Sequence, residues 1–274
     1  MWDDDELPSK ASFGTSGRAT LTDSQGEVVL VSSRTSGRKA TWRLHNDPRT
    51  EPLRLEIETP DDRLALITIP GNIRRISTHA ITTPRQQRII YKVRMQSDQP
   101  AQDTILNYLR LGKMDAAQGM LPWAPTSEQL LSDKRSDPYA AAVGAYLLLR
   151  LQHFELLHDW PRNLADWMEF LPDGCVIWAT QLMRQKPESV DEIRTYLLRA
   201  VGRGLPVFTE GLRLLLDGLV LLGKDGEAAH RKVREQAGAT RWESPLALRI
   251  TTGAESGRRS MITITYDIGF GLPI

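Results

Sequence analysis

The first hundred residues alternate between apolar and polar positions with a period of two. In "RIIYKVRM" (88–95) every second residue from Ile89 to Met95 is apolar, and "LRLEIE" (53–58) alternates in the same way. This alternation is typical of strands with one buried and one solvated face. The uniformly apolar "EVVLV" and "RLALITI" predict central strands, and turn-forming runs such as "DSQG", "TSGRK" and "PGN" separate the segments. The pattern predicts an antiparallel β-sandwich over residues 1–100.

From about residue 101 the apolar positions follow a helical period instead. In "NLADWMEFL" the apolar residues Leu164, Trp167, Met168 and Leu171 fall at i, i+3, i+4 and i+7. Proline and glycine mark the ends of several such segments. The pattern predicts an α-helical domain of six or seven helices over residues 101–240.

Four segments of the helical region share a helix, a short break and a second helix. Alignment of Arg110, Arg150, Arg184 and Leu222 gives spacings of 40, 34 and 38 residues, by subtraction of their positions. Periods in this range are typical of helical-hairpin repeats of the tetratricopeptide kind. An irregular bundle of the same helices fits the sequence equally well.

The segment "SDPYAAAVGAYLLLR" (136–150) begins abruptly and then carries small residues from Ala140 to Ala145. Asp137 is predicted to cap a helix whose first residue is Pro138. Small side chains are expected where the backbone of one helix approaches the next.

The last residues return to the strand period. "LALRITT" and "SMITITYDI" alternate, and "GAESGRR" between them predicts a turn. We expect a hairpin within residues 241–274 that joins the N-terminal sheet, because an isolated hairpin is marginal in water. The predicted fold class is α+β: a β-sandwich completed by this hairpin, plus a domain of α-helical hairpins resembling tetratricopeptide repeats.

The amino-acid composition limits the classes of binding partner and the cellular compartment that we expect. The chain has 274 residues, with 35 Lys and Arg against 34 Asp and Glu, so its formal net charge is +1. A nucleic-acid or membrane binder usually carries a basic excess, so we expect neither partner. The single cysteine excludes an intramolecular disulfide, and no apolar run is long enough to span a bilayer. With an acidic N-terminus that is no secretory signal, the sequence predicts a cytoplasmic protein.

Candidate reactive groups are few. Cys175 lies near a predicted helix start with His153 and His158 upstream, but "CVIWA" continues an apolar helix, so we expect the thiol to pack in the core. The histidines lack metal-ligand spacing, and no phosphate loop, dinucleotide fingerprint or nucleophile elbow is complete. We therefore predict no metal, no cofactor and no enzymatic activity. An enzyme of unrecognised type, using Glu210, Asp217 or Cys175, is the alternative.

The tripeptide Ser-Gly-Arg occurs three times, each time in a predicted turn. Ser and Gly are common turn residues, which explains the recurrence without a function. Exposed arginines in such turns are also candidate sites for an Arg-directed protease. These candidates are Arg18, Arg38, Arg258 and Arg259.

The strand 88–95 carries a second candidate site. Its polar side is basic, with Arg88, Lys92 and Arg94, and Arg43 and Trp42 are candidates to lie nearby. This face is predicted either to be solvated or to bind an acidic partner or RNA. The tryptophans of the helical region are predicted to pack in the core: Trp160, Trp167 and Trp178.

Three runs in the helical region are distinctive as strings: "DPYAAAVGAYLLLR", "DWPRNLADWMEFLPDGCVIWATQLMRQ" and "RGLPVFTEGLRLLLDGL", preceded by "ILNYLRLGKMDAAQGM". This region resembles the helical region that follows caspase-like or trypsin-like peptidase domains in bacterial signalling and defence proteins. The sequence contains no peptidase domain, so the resemblance assigns no catalytic residue. It implies a partner, adaptor or cleavage substrate of such a protease within an antiviral signalling cascade.

The function predicted from these observations is that of a non-enzymatic interaction or regulatory protein whose partner is another protein. The sequence leaves a second alternative open, a membrane-acting effector that is released by proteolysis.

Overall fold

The computed structural model describes residues 7–8, 10–13, 17–45, 47–59, 64–83, 88–111, 117–238, 240, 242, 244–251 and 261–266. The chain forms two compact units. The β unit comprises residues 1–47, 51–107 and 239–274, and the helical unit comprises residues 48–50 and 108–238. The predicted α+β class is confirmed.

Eleven strands are present in the described residues of the β unit. They are β1 (Leu7–Pro8), β2 (Lys10–Ser12), β3 (Arg18–Thr22), β4 (Leu30–Ser36), β5 (Lys39–Arg43), β6 (Leu53–Glu58), β7 (Leu64–Ile69), β8 (Ile73–Thr83), β9 (Arg88–Ser97), β10 (Leu248–Thr251) and β11 (Met261–Tyr266). A six-stranded sheet has the order β1-β4-β5-β8-β9-β11, and a five-stranded sheet has the order β10-β7-β6-β3-β2. All described pairs are antiparallel except β9 with β11.

The alternating pattern of the sequence places one face of each sheet in the core. Leu55 and Ile57 on β6 are fully buried, as are Trp42 on β5 and Tyr91 on β9. The Phe13 ring lies 6.3 Å from the Tyr91 ring, which joins the cores of the two sheets. The inner faces therefore form the sandwich core that the period of two predicted.

The two C-terminal strands join the N-terminal sheets as predicted, but they do not pair with each other as a hairpin. β10 pairs antiparallel with β7 at the edge of the five-stranded sheet, whereas β11 pairs parallel with β9 at the edge of the six-stranded sheet. The hairpin prediction is wrong because each strand finds a free edge in a different sheet, where it gains a full ladder of hydrogen bonds.

Nine α-helices are present in the described residues. They are α1 (Pro100–Leu111), α2 (Ala117–Met120), α3 (Ala124–Ser132), α4 (Pro138–Leu151), α5 (Trp160–Trp167), α6 (Pro172–Gln185), α7 (Val190–Arg203), α8 (Thr209–Leu221) and α9 (Lys224–Ala237). Within the helical unit, α6 packs against α7 and α8 packs against α9 as helical hairpins. Equivalent helices also touch: α4 with α6, α6 with α8, and α7 with α9. α3 also packs against α4, and α5 against α6, so each helix lies against its neighbours in the chain. Both stacked helical hairpins and an irregular bundle pack in this way, and the tetratricopeptide-like repeat stays a prediction.

The start of α4 confirms the predicted cap. The Asp137 carboxylate accepts a hydrogen bond of 2.9 Å from the Ala140 amide, and Pro138 is the first helical residue. A Cβ on Gly144 would lie 2.6 Å from the Ser127 carbonyl oxygen on α3. Glycine is therefore needed at position 144 because the backbone of α3 approaches so closely.

Two apolar side chains at helix termini are exposed, and one of them, Trp167, was predicted to lie in the core. Trp167 at the end of α5 is 47% exposed, and Val190 at the start of α7 is 55% exposed. Trp167 is the last residue of α5, and Val190 is the first residue of α7. Trp178 on α6 is buried as predicted.

Candidate interaction surfaces and the buried polar network

Two of the three sequence-predicted basic residues of β9, Lys92 and Arg94, lie on the outward face of the six-stranded sheet. Backbone register places Lys92 opposite His79 and Arg94 opposite Ser77 on β8, and it places Arg88 opposite Thr83. Lys92 and Arg94 are exposed, whereas the intervening Tyr91 and Val93 are buried.

The same face continues across β4 and β5, because directly paired residues point to the same side of a sheet. Lys39 lies opposite His79, and Arg43 lies opposite Arg75. The basic face is defined by the following residues: Arg34, Lys39, Arg43, Arg75, His79, Lys92 and Arg94. Ser32, Thr41 and Ser77 occupy positions between them. No Asp, Glu, Phe, Tyr or Trp residue occupies a register position of this face in the strands that the structure describes.

Four of these cations are without an ion pair among the described residues: Arg34, Lys39, Arg75 and Lys92. The five-stranded sheet differs. On its outward face the Arg18 guanidinium donates two hydrogen bonds, of 2.9 and 2.5 Å, to one carboxylate oxygen of Glu58. Arg43 lies on the basic face as the sequence suggested, but Trp42 points into the core.

The candidate cleavage arginines are placed differently from one another. Arg18 lies in β3, which is hydrogen-bonded on both sides by β2 and β6, so its prediction as a turn residue is wrong. Arg38 lies in the exposed two-residue turn between β4 and β5, where Gly37 has a φ of 55°. Arg258 and Arg259 lie outside the described residues.

A buried polar network holds the helical unit together at Asp173, the second residue of α6. Its carboxylate accepts hydrogen bonds from the Tyr146 hydroxyl at 2.7 Å, the Val207 amide at 2.7 Å and the Phe208 amide at 3.3 Å. Burial raises the pKa of Asp173 to about 6, although these three donors favour the ionised form. The network thus ties α4, α6 and the segment before α8 to one another.

Gly211 on α8 has no side chain, and this leaves space for the Tyr146 hydroxyl and the Asp173 carboxylate. A Cβ there would lie 2.1 Å from the Tyr146 hydroxyl oxygen and 2.7 Å from a carboxylate oxygen of Asp173. No side chain fits at that distance, so the first turn of α8 requires glycine.

A second polar connection links α4 to α8. The Arg150 guanidinium donates to the Glu210 carboxylate at 2.7 Å and to the Leu109 carbonyl oxygen at 3.0 Å. The Arg213 guanidinium donates a hydrogen bond of 2.7 Å to the other carboxylate oxygen of Glu210. Glu210 is therefore held by two guanidinium groups. The alternative prediction treated this residue as a catalytic acid, whereas here its carboxylate connects two helices.

Cys175 is fully buried on α6. Its sulfur accepts a hydrogen bond of 3.1 Å from Arg203, but burial dominates and raises the pKa of the thiol to about 11. A thiol with this pKa stays protonated at neutral pH and is a poor nucleophile. The two imidazoles upstream contact carboxylates instead: His153 contacts Glu155, and His158 contacts Glu128.

A cation–tryptophan cluster lies on the surface of the helical unit. We define the tryptophan cluster as Lys134, Arg135, Trp160 and Trp167. The ammonium nitrogen of Lys134 lies 4.9 Å from the Trp160 ring centroid and 5.8 Å from that of Trp167. The Arg135 guanidinium lies 4.5 Å from the Trp167 ring centroid. These distances are within the range of cation–π attraction.

Lys134 is the unusual member of this cluster. Only 6% of the residue is exposed, and its ammonium forms no ion pair with any described residue. Burial, with help from the neighbouring Arg135, lowers the pKa of Lys134. Sequence reasoning missed this cluster because its members come from the α3–α4 turn and from α5, and no spacing in the sequence joins them.

A model of the Y4kD C-terminal domain matches residues 104–248, just over half of the chain. The chain belongs to this family. The match of the Y4kD C-terminal domain includes the Asp173 network and the tryptophan cluster, and it excludes the strands that form the basic face.

No curated protein and no solved structure matches the chain. Among the described residues, no group of three His, Cys, Asp or Glu side chains is arranged to hold a metal ion. No described helix is both long and apolar enough to cross a bilayer.

Proposed function

We propose that the protein is a non-enzymatic interaction protein whose helical unit binds an acidic segment of a partner protein through the tryptophan cluster. The observation that carries this proposal is the buried ammonium of Lys134, which lies between two tryptophan rings and forms no ion pair with a carboxylate of the described residues. Buried charges in proteins are ordinarily paired, because desolvation of an isolated ion is costly. A carboxylate supplied by the partner meets this requirement.

The surrounding residues suit a protein interface. Tryptophan and arginine dominate the binding energy of protein interfaces, and Trp167 and Arg135 are both exposed at this site. The half-exposed Trp167 ring supplies apolar contact area, while Lys134 and Arg135 supply the charge. The polar groups of the Asp173 network are buried and engaged inside the unit, so they are not part of this surface.

We further propose that the partner is a caspase-like or trypsin-like protease of a bacterial signalling or antiviral defence system, which the protein serves as adaptor or cleavage substrate. The resemblance of the helical region to regions that follow such peptidases supports this assignment. The proposal that the protein is a cleavage substrate is supported by Arg38, because it is an exposed arginine in a turn.

The binding proposal is tested by co-purification from the native host. Trp167→Ala and Lys134→Met should each lose a stoichiometric protein partner that the unaltered chain retains, since methionine keeps the contact with the rings and removes the charge. Trp242→Ala is the matched control, because Trp242 is 49% exposed and lies outside the helical unit. Equal retention by all three variants, or loss by all three, would contradict the proposal.

The proposed cleavage is tested with a trypsin-like protease prepared from the native host. Incubation should give two fragments that separate after Arg38, and Arg38→Gln should abolish them. Arg18→Gln, in the paired strand β3, should leave the fragments unchanged. If the chain is not cut, the proposal of cleavage is wrong, and the binding proposal is unaffected.

A further inference from the structure

We propose that the basic face of the six-stranded sheet binds the phosphate backbone of a nucleic acid duplex without sequence preference. This inference concerns a different unit from the tryptophan cluster, and it does not depend on the function proposed for the helical unit. It also differs from the expectation drawn from the net charge of +1, which averages over the whole chain.

The distribution of charge is the first observation. The described strands β4, β5, β8 and β9 carry six Lys and Arg residues on one face and no carboxylate among them. Four of these cations have no ion pair in the part of the chain that the structure describes, namely Arg34, Lys39, Arg75 and Lys92. Like charges on neighbouring strands repel one another, so the face gains from a polyanion that neutralises them.

The composition of the face distinguishes a nucleic acid from an acidic protein. Protein interfaces have an apolar or aromatic centre, whereas surfaces that bind nucleic acid are polar and strongly positive. The centre of the basic face has Thr41, Ser77 and His79 between its cations, and the apolar pair Ile81 and Ile90 lies towards one end of the face, beyond His79 and Lys92. Hydroxyl groups of this kind also donate hydrogen bonds to phosphate oxygens.

The absence of aromatic side chains from the described face favours a duplex over a single strand. Proteins that bind single strands stack bases on exposed aromatic rings, but Trp42 and Tyr91 of this sheet both point into the core. A duplex offers rigid phosphates at about one charge per 1.7 Å of its axis. Four strands spaced about 4.8 Å apart span roughly 14 Å, across which a duplex presents about eight phosphates.

The test measures binding of the full chain to a fluorescently labelled, mixed-sequence 24-base-pair DNA duplex by anisotropy over a series of salt concentrations. With four to six phosphates neutralised, the logarithm of the association constant should fall with the logarithm of salt with a slope of about −4 to −5. Between 50 and 200 mM salt the affinity should therefore fall on the order of a hundredfold to a thousandfold.

A quadruple variant removes the four unpaired cations while keeping strand propensity: Arg34→Thr, Lys39→Thr, Arg75→Thr and Lys92→Thr. Its affinity for the duplex should fall at least about a hundredfold at low salt, with a slope reduced by about 3 to 4. The matched control removes four exposed cations of α9, giving the same change in net charge: Lys224→Gln, Arg231→Gln, Lys232→Gln and Arg234→Gln. This control should bind as the unaltered chain does. Circular dichroism of each variant checks that it is folded, and the salt slope of the unaltered chain needs no variant.

Four outcomes would overturn the proposal. They are a flat salt dependence, an equal loss of affinity in the two quadruple variants, tighter binding of the single-stranded form of the same sequence, and displacement of the duplex by polyglutamate at equal charge concentration. The last outcome would assign the face to an acidic protein instead.

Discussion

The helical unit and the basic face organise their charged groups in opposite ways. In the helical unit the principal carboxylates are buried and engaged: Asp173 accepts three hydrogen bonds, and Glu210 is held by Arg150 and Arg213. On the basic face the cations are exposed, and Lys39 and Lys92 have no ion pair in the described residues. Charge in the first region holds helices together, whereas charge in the second region is available to a ligand.

The difference shows where substitutions should alter stability and where they should alter binding. A buried acceptor that is removed leaves its donors unsatisfied, which costs the free energy of their desolvation. An exposed cation that is removed leaves nothing unsatisfied and relieves repulsion between neighbours. The four predictions below test this contrast, in order of decreasing effect on the free energy of unfolding.

The largest effect is expected at Asp173. Asp173→Ala leaves the Tyr146 hydroxyl and the amides of Val207 and Phe208 buried without an acceptor, and should lower the free energy of unfolding by about 4 kcal/mol. Urea denaturation followed by circular dichroism measures this loss. A loss below about 1 kcal/mol would show that the network does not hold the helices together.

Gly211→Ala should lower the free energy of unfolding by about 3 kcal/mol, because the new Cβ would lie 2.1 Å from the Tyr146 hydroxyl oxygen. Gly202→Ala on α7 is the matched control, since nothing lies within 4 Å of its Cβ position. The control should be neutral or stabilise the chain slightly, through the helix propensity of alanine. Equal midpoints of denaturation for the two variants would contradict the close approach at Gly211.

The stability of the chain should depend on pH through Asp173. Its folded-state pKa of about 6 exceeds its ordinary value of 3.8, so the folded state binds the proton more tightly than the unfolded state. The contribution is fully present below pH 3.8 and is lost as the pH rises through 6. Between pH 4 and pH 7 this single group should remove about 2 kcal/mol of stability.

The measurement for this pH dependence is the difference in free energy of unfolding between the unaltered chain and Asp173→Asn, taken across the same pH range. Other groups titrate in both proteins and cancel in the difference. A difference that stays constant from pH 4 to pH 7, or that changes with the opposite sign, would show that burial does not raise this pKa.

The smallest effect on stability is expected at the basic face. Replacement of Arg34, Lys39, Arg75 and Lys92 by threonine should change the free energy of unfolding by less than about 0.5 kcal/mol, because these side chains are exposed and make no ion pair with described residues. Thermal unfolding of this variant beside the unaltered chain measures the change. A loss of unfolding free energy comparable to that of Asp173→Ala would show that the two regions do not differ in their contribution to stability.

Local patterns in the sequence predicted individual elements well where one side chain decides the geometry. The period of two predicted β6 and β9, and Asp137-Pro138 predicted the start of α4. The apolar run "EVVLV" was less informative, since the strand there is β4, which begins only at Leu30 and continues through polar residues. Only Val31 of that strand is buried, so pairing with β5 supports it more than an apolar face does, and its alternate residues lie on the basic face.

The candidate sites were predicted only in part, because their residues come from separate strands and helices. The sequence singled out Lys92 and Arg94 because they alternate along one strand, but it did not join them to Arg34, Lys39 and Arg75, which lie on other strands. Lys134 was not singled out at all, because the rings that enclose it come from a separate helix.

The amino-acid sequence by itself determined the α+β class, the division into strand and helix periods, the capped start of α4 and the burial of Cys175, since each follows from local propensity and apolar pattern. Only the tertiary structure decided that the C-terminal strands join different sheets, that scattered cations share one face, and that Lys134 lies between two tryptophans. The physical reason is that pairing of strands and packing of helices bring together residues far apart in the chain, and local spacing carries no record of which distant surfaces will meet.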